Sequence, residues 1–406
     1  MSSAKQTEAV PGLFTEGFKK NPYPTLKYLR ENAPVYKSEY GIWIATRYED
    51  VIKIIKDKRF KRDFDASTSD VYGEEALNDF TTNIMRHWIV NQSGPFHISL
   101  RRHMTKAINK ATENLEPRIV AIAERLVKKG LEQGHFDLVA DLTFPMTATV
   151  ICEMLGVPQR HRPMFVEKSI FPSPGLLDVI PVPAHEHQII TKRARVVMAY
   201  LEKLCDHKLK VPGDDFTSVM LALSQEDPEL TRECVVANMF FMFFAGHQST
   251  QNLMSNCFHT LYSHPRQLEL LKNNPDLIDN AAEELVRYDT SVQTGHLHYA
   301  EEDIDIDGVV ISKGDAIMPI LGAANRDPEI NEDPEVFNIL REKPKHISFN
   351  AGIHFCVGAR LAMLELKIAM RTLLREMPDL QLINPQGVKW IPTYTLRGIK
   401  SLPVHW

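Results

Sequence analysis

The stretch Phe349-Asn350-Ala351-Gly352-Ile353-His354-Phe355-Cys356-Val357-Gly358-Ala359-Arg360-Leu361-Ala362 decides how the rest of the chain is read. A single cysteine sits in a loop punctuated by glycines. The loop runs straight into a helical pattern, because Val357, Leu361, Leu364 and Ile368 recur at helical spacing. Cys356 is therefore expected at the mouth of a helix, where unpaired backbone N–H groups and the helix dipole favour a thiolate. Gly352 and Gly358 allow tight turns and a close approach of the backbone to something bulky and flat. A thiolate so placed serves as a nucleophile or as a metal ligand. The plainer possibility is a buried structural cysteine, a common state of a free thiol.

The chain has 406 residues, room for two average domains or one large one. At 44% hydrophobic and 24% charged residues it falls in the ordinary globular range, which speaks against a disordered or membrane class. A net charge of −5 gives no footing for a nucleic-acid partner. The cysteines, at 152, 205, 234, 257 and 356, include no Cys-x-x-Cys pair. That excludes the common zinc spacings and argues against a disulfide framework, and a reducing cytoplasm is expected. Residues 1–18 show no basic segment followed by an apolar core, so no signal peptide is expected. The longest nearly apolar run, 234–246, is too short to span a bilayer, and no membrane association is expected.

The pattern Phe-x-x-Gly-x-x-x-Cys-x-Gly-x-x-Leu-Ala resembles the haem-ligand loop of the cytochrome P-450 superfamily. In that family the cysteine thiolate is the axial iron ligand of haem b (iron protoporphyrin IX), and its electron donation favours O–O cleavage. The resemblance implies that Cys356 is the metal ligand and that Phe349, Gly352, His354 and Gly358 bind the cofactor. Asn350 departs from the family's usual glycine, but asparagine tolerates left-handed backbone better than most residues.

Upstream, helices are expected over Tyr23–Asn32 and from Tyr48 through Ile55, with strands over 35–39 and 41–46. From 63 to 89 the periodicity fades, which reads as a long irregular excursion. In the resembling family this region walls the substrate pocket. Ser93-Gly94-Pro95 is a helix start, and His97 and Arg101 follow on one face at i and i+4. Such a pair is a solvated face or an anion site, and the family's His-x-x-x-Arg helix implies a haem propionate. Arg102, Lys106 and Lys110 form a second stripe, either solvated or a docking patch for an acidic electron donor. Helical patterns cover 138–155 and 188–207, with a proline-rich break between them at 171–183. In the family such a break joins two lid helices.

A helical run from about Arg232 to Tyr262 carries a glycine and hydroxyl groups in its middle, where they are locally unfavourable. It reads as a buried helix with a packing glycine, or as the family's long central helix. There, Ala-Gly-x-acid-Thr opens a groove for dioxygen. Ala245 and Gly246 match, Gln248 takes the acid's place and Ser249 the threonine's. The resemblance implies a catalytic role for all four, with Ala245 and Ser249 also against the cofactor. Glu284 and Arg287 can pair at i, i+3; in the family Glu-x-x-Arg is a buried structural network behind the cysteine loop. His298 falls where the family places a propionate-binding arginine, and Phe241, Phe244, Thr294 and Thr395 fall at pocket positions.

Strands gather near the N-terminus and beyond 295, with helices between them, so the fold class is mainly α with a small β region (α+β). The expectation is one domain over 1–406, with the single-domain cytochrome P-450 fold implied by the resemblance. The implied activity is a monooxygenase that inserts one oxygen atom from O2 into a hydrophobic small molecule by hydroxylation or epoxidation. The style leans towards secondary-metabolite or polyketide tailoring. No flavin or nicotinamide fingerprint is present, so electrons are expected from a ferredoxin or flavodoxin, and the protein is expected to be a monomer. Two rivals stay open: a peroxide-driven enzyme, suggested by the missing carboxylate, and a haem-binding sensor that does not turn over.

Overall fold

The protein is described by a computed structural model covering residues 15–166 and 183–406. In chain order the principal helices are α1 (Tyr23–Asn32), α2 (Tyr48–Lys56), α3 (Gly94–Thr112), α4 (Glu116–Gln133), α5 (Phe144–Met154), α6 (Ala184–Lys210), α7 (Phe216–Ser224), α8 (Arg232–Tyr262), α9 (Ile278–Tyr288) and α10 (Ala359–Glu376). The strands are β1 (Val35–Lys37), β2 (Trp43–Ala45), β3 (Phe60–Lys61), β4 (Phe136–Asp137), β5 (His298–Ala300), β6 (Ile304–Ile306), β7 (Val309–Ile311), β8 (Ala316–Pro319), β9 (Gln381–Leu382) and β10 (Pro403–His405). The class is mainly α with a small β region, as expected. The contacts define two compact units. One comprises Met1–Asp63, His264–Cys356 and Lys389–Lys400; the other comprises Phe64–Ser263, Val357–Val388 and Ser401–Trp406.

The first unit is built on a five-stranded sheet in the order β1-β2-β8-β5-β3, in which β2 and β8 form the parallel pair. Its core is the inner face of that sheet, including Trp43, Phe60 and Ile317, closed by Val51 and Ile54 of α2. β6 and β7 form a hairpin turned by Asp307 and Gly308, both with positive φ. That is the Asp-Gly chemistry a two-residue hairpin turn demands.

The second unit is helical around α8, which is buried on nearly all sides. Such a helix needs apolar partners all round rather than a single stripe. α5 is the partner it touches most, and α10 packs on α4. A three-stranded sheet, β4-β10-β9, borders the unit.

The bounds of α1 and α8 coincide with those expected from the sequence. Two expectations are corrected. The stretch 63–89 is not irregular: it holds short helices at Phe64–Tyr72 and Phe80–Met85 with a 3-10 turn between them. Phe64–Tyr72 buries only Thr68, so it lacks the apolar stripe that would have announced it. The pattern at 138–155 is not one α-helix, because Leu138–Thr143 is a π-helical turn that leads into α5. The side chain of Asp137 caps it by accepting from the N–H groups of Val139 and Ala140. The proline-rich break lies outside the described residues, except for Pro183. Among the described residues no helix is long and apolar enough to cross a membrane.

Candidate haem-thiolate site

The cysteine loop closes on itself. The Cys356 N–H donates to the Phe349 carbonyl at 2.9 Å, and the Asn350 N–H donates to Ile347 O at 2.8 Å. Asn350 takes a left-handed conformation with φ 62°, and its side-chain oxygen accepts the Ala351 N–H. Gly352 also has positive φ, at 63°, which a side chain would strain. Gly358 caps α10, whose first residue is Ala359, so the thiol stands just outside the helix mouth. None of the five cysteines is in a disulfide, and Cys356 alone is exposed. Burial pushes the thiols of Cys152 and Cys205 up to about 12 and that of Cys234 up to about 11, so those three stay protonated.

Behind this loop lies a buried polar network within the same unit. Arg287 pairs with Glu284 through Nε (2.6 Å) and Nη2 (2.9 Å), and both side chains are fully buried. Arg287 also donates to the carbonyls of Asn325 and Pro334, while Glu284 accepts from the Asn338 N–H and from Arg341 Nε. The network then reaches the loop: Asn325 Nδ2 donates to Ser348 Oγ, which donates to Val286 O, and Asn325 Oδ1 accepts the Ile347 N–H. Ser348 directly precedes Phe349. The pair thus stiffens the entry to the loop, and removing one partner would strand a buried charge.

On α8 the four expected catalytic residues are adjacent but not equivalent. Ser249 Oγ donates to the Ala245 carbonyl at 2.5 Å, so its proton is committed one turn back. The amide of Gln248 donates to Asn252 Oδ1 at 3.2 Å. Gly246 is where α8 meets α5: a Cβ there would lie 2.5 Å from Ile151 Cδ1. Next to it is His247, which sequence reasoning missed. Thr147 of α5 donates to Thr143 O, so its oxygen accepts the Nδ1–H of His247 at 2.8 Å. Burial pushes His247 down to about 3, so the ring stays neutral and fastens α8 to α5 beside the glycine. Phe241 and Phe244 face Trp88, with ring centroids 5.2 and 6.1 Å away. Asn238 holds that wall by accepting the Ile89 N–H and donating to His87 O. Trp88 was also missed, because nothing local marks it.

His97 is buried on α3, one turn before the half-buried Arg101. Arg102 and Lys106 are exposed, whereas Lys110 binds Glu113 and Asp214. Thr294 is buried next to Gln293, whose N–H donates to Thr395 O at 2.9 Å, so these two pocket candidates lie on paired segments. His354 closes a short 3-10 turn inside the cysteine loop. His298 is buried on β5 and its Nδ1 lies 2.9 Å from His296 O. A carbonyl only accepts, so Nδ1 carries the proton, and burial pushes the ring down to about 3. Neutral His298 therefore presents a lone pair at Nε2 and cannot by itself donate to an anion. A cleft of about 510 Å³ lined by His161, Met164, Tyr200 and Lys203 contains none of the expected site residues.

The donor set fits an iron porphyrin. One thiol is exposed at a helix mouth in a rigid loop, with apolar Ile353 and Phe355 exposed beside it. Comparisons with known proteins agree. Residues 17–378 match the family model described as Cytochrome P-450. The chain is 33% identical to the Cytochrome P-450 monooxygenase PikC of Streptomyces venezuelae, over 97% of this chain and 93% of that protein. It is 31% identical to the polyketide biosynthesis cytochrome P-450 PksS of Bacillus subtilis, over 95% and 96%. The crystal structure of P450BioI in complex with an acyl carrier protein ligated to hexadec-9Z-enoic acid superposes with a TM-score of 0.88 at 32% identity, covering 97% of this chain and 100% of that one.

Proposed function

The chain belongs to the cytochrome P-450 family, and on that premise we propose that Cys356 would hold the haem iron in a monooxygenase that tailors a hydrophobic secondary metabolite. The class itself is a monooxygenase with haem b as cofactor. The observation that carries the assignment is the closed Phe349–Cys356 loop, which holds one exposed thiol at the mouth of α10.

When bound, haem supplies the oxidising chemistry: with O2, two electrons and two protons, one oxygen atom goes to the substrate and the other leaves as water. The chain's own residues divide the remaining tasks. The helix mouth and the dipole of α10 hold Cys356 as thiolate. The Glu284–Arg287 network keeps the loop from relaxing. Phe241, Phe244 and Trp88 offer an apolar wall that excludes water, and Thr294 and Thr395 are polar positions on two paired segments. Ser249 Oγ can pass on a proton only after turning away from Ala245 O. Gln248 has no useful acid–base equilibrium and can only orient a water.

Exposed Arg102 and Lys106 suit an acidic ferredoxin or flavodoxin. The proposal extends to a single working domain over 1–406, a monomer in the cytoplasm. The chain passes repeatedly from one compact unit to the other, which favours joint folding. The test is spectroscopic. The reduced protein under carbon monoxide should show the thiolate-type Soret band, and Cys356→Ser should lose it while single serine replacements of the other four cysteines keep it. A band that persists in Cys356→Ser refutes the assignment. Turnover with a ferredoxin pair, compared with peroxide alone, separates monooxygenase from peroxygenase; activity with neither leaves a sensor.

A further inference from the structure

The cleft that holds none of the expected site residues has a chemistry of its own. One side of it is the 3-10 turn Gln159–His161 with Met164 just beyond. The other is a single face of α6, where Tyr200, Lys203 and Leu204 recur at helical spacing. Met164 and Leu204 supply apolar surface, and the Tyr200 ring meets His161 and Phe165 edge-on, with centroids 5.7 and 5.1 Å away. A volume of about 510 Å³ falls in the range of small-molecule sites.

The polar groups next to His161 are left as donors. Arginine only donates, so His161 Nε2, 3.3 Å from Arg160 Nε, is the bare ring nitrogen. Nδ1 then carries the proton and donates to the Tyr200 oxygen at 3.1 Å. The phenol's own hydrogen has no acceptor among the described residues, and burial, which raises Tyr200 to about 12, keeps it in place. Arg160 retains both Nη groups and Lys203 its ammonium, and neither meets a carboxylate among the described residues. The acidic side chains nearby in the chain are engaged elsewhere: Glu202 and Asp206 bind Arg232, and Glu153 binds Arg162. His207, one turn past Lys203, adds a further basic side chain to the lining.

We infer that this cleft is a second binding site, for an amphiphile with a carboxylate head and a hydrocarbon chain. The donor count selects the head. A carboxylate offers about four lone-pair sites and accepts a guanidinium fork in two parallel bonds. Nη1 and Nη2 of Arg160, the Lys203 ammonium and the Tyr200 hydroxyl fill those sites, and the negative charge answers cations that no carboxylate of the cleft neutralises. Met164 and Leu204 select the chain, since each buried CH2 strengthens binding about fourfold. A protein partner would engage about 20–30 residues a side, against the eight that line this cleft. None of these residues is assigned to the haem or its pocket, so the inference stands apart from the haem-thiolate reading.

The probe is a dodecanoate that carries a diazirine, photolysed on the full-length holoprotein and mapped by peptide mass spectrometry. Label is expected within 158–164 and 200–207, and its dose dependence there gives the affinity of this site alone. Arg160→Gln with Lys203→Gln should weaken that affinity about tenfold, near the upper end of what two exposed charges contribute. Tyr200→Phe should weaken it about threefold to tenfold, the span of one hydrogen bond. Dodecanol, with the chain but no charge, should compete less well than dodecanoate in the natural protein and equally well in the double variant. Any shift that dodecanoate causes in the Soret band should be the same in both proteins, because it reports a different binding event. Label confined to other segments of the natural protein overturns the inference without recourse to any variant, as does an unchanged affinity in the double variant. Tighter binding of dodecyl phosphate at these segments overturns it in favour of a phosphate head. A changed oligomeric state of the double variant with unchanged labelling overturns it in favour of a second copy of the chain.

Discussion

Replacing Gly246 by alanine separates two roles that one glycine could play on α8. The added Cβ would meet Ile151 Cδ1 at 2.5 Å and Cγ1 at 3.3 Å, against roughly 3.5–4.0 Å for carbon atoms in favourable contact. Ile151 is buried on α5, so the methyl group has nowhere to go without separating the helices or forcing a rotamer. Overpacking of this kind costs about 1–3 kcal/mol. Alanine in a helix interior regains about 1 kcal/mol over glycine. The net change expected for Gly246→Ala is therefore a loss of about 0–2 kcal/mol. Ile151→Val deletes Cδ1, the atom that clashes, at an independent cost of about 0.5–1.5 kcal/mol. In that background the new methyl group fills the space Cδ1 leaves. The double variant should then be no less stable than Ile151→Val alone, with a favourable coupling of about 1–2 kcal/mol. The assay is denaturant unfolding of all four proteins at equal haem loading, because bound ligand raises apparent stability by mass action. Additive effects would refute the packing argument. A groove role for Gly246 makes a different demand: Gly246→Ala would then alter oxygen and substrate binding equally in both backgrounds.

Two further outcomes are expected. Arg102→Glu with Lys106→Glu should slow the first electron transfer from the native donor, and the defect should shrink as salt shortens the reach of exposed charges to about 8–10 Å; Lys110→Glu should matter less, because Lys110 already binds Glu113 and Asp214. Unchanged reduction kinetics would return the stripe to a solvated face. Glu365 on α10 is fully buried with Oε2 unpartnered among the described residues, and burial raises its carboxyl to about 8. Its acid form favours the fold fully below the unfolded value near 4.5, and that contribution is lost as pH rises to about 8, up to a few kcal/mol. Glu365→Gln should thus gain stability over the natural protein progressively across that window and by a constant amount above it. Parallel stability curves would count against a buried neutral carboxyl.

What the sequence disclosed is what adjacent residues determine. The ends of α8 are marked by the N-cap Thr231 and by Tyr262 followed by Ser263, and its apolar interior leaves no other reading. The cysteine loop is equally local: its turns, its left-handed Asn350 and the first turn of the helix after it lie within fourteen consecutive residues. By contrast, Phe64–Tyr72 takes its helical form without a stripe of its own, and short helices in water are marginal unless the surrounding chain supplies contacts. The π turn at Leu138–Thr143 escaped for a related reason. Its apolar residues, Leu138, Val139 and Leu142, fit an α-helical period equally well, and the wider turn shows only in the hydrogen bonds. His247 sits beside a recognisable glycine, yet its meaning comes from Thr147, a hundred residues earlier in the chain.

The site shows the same division between local and non-local information, and at 298 it matters chemically. Read along the chain, a histidine where an arginine is usual looks like a weakened cofactor contact. The fold decides which ring nitrogen could make that contact. Nδ1 lies 2.9 Å from His296 O and so carries the proton, and burial keeps the ring neutral. Nε2 is then an acceptor, and an anion that needs a donor there must first bring the ring its second proton, whereas an arginine at the same place would be charged beforehand.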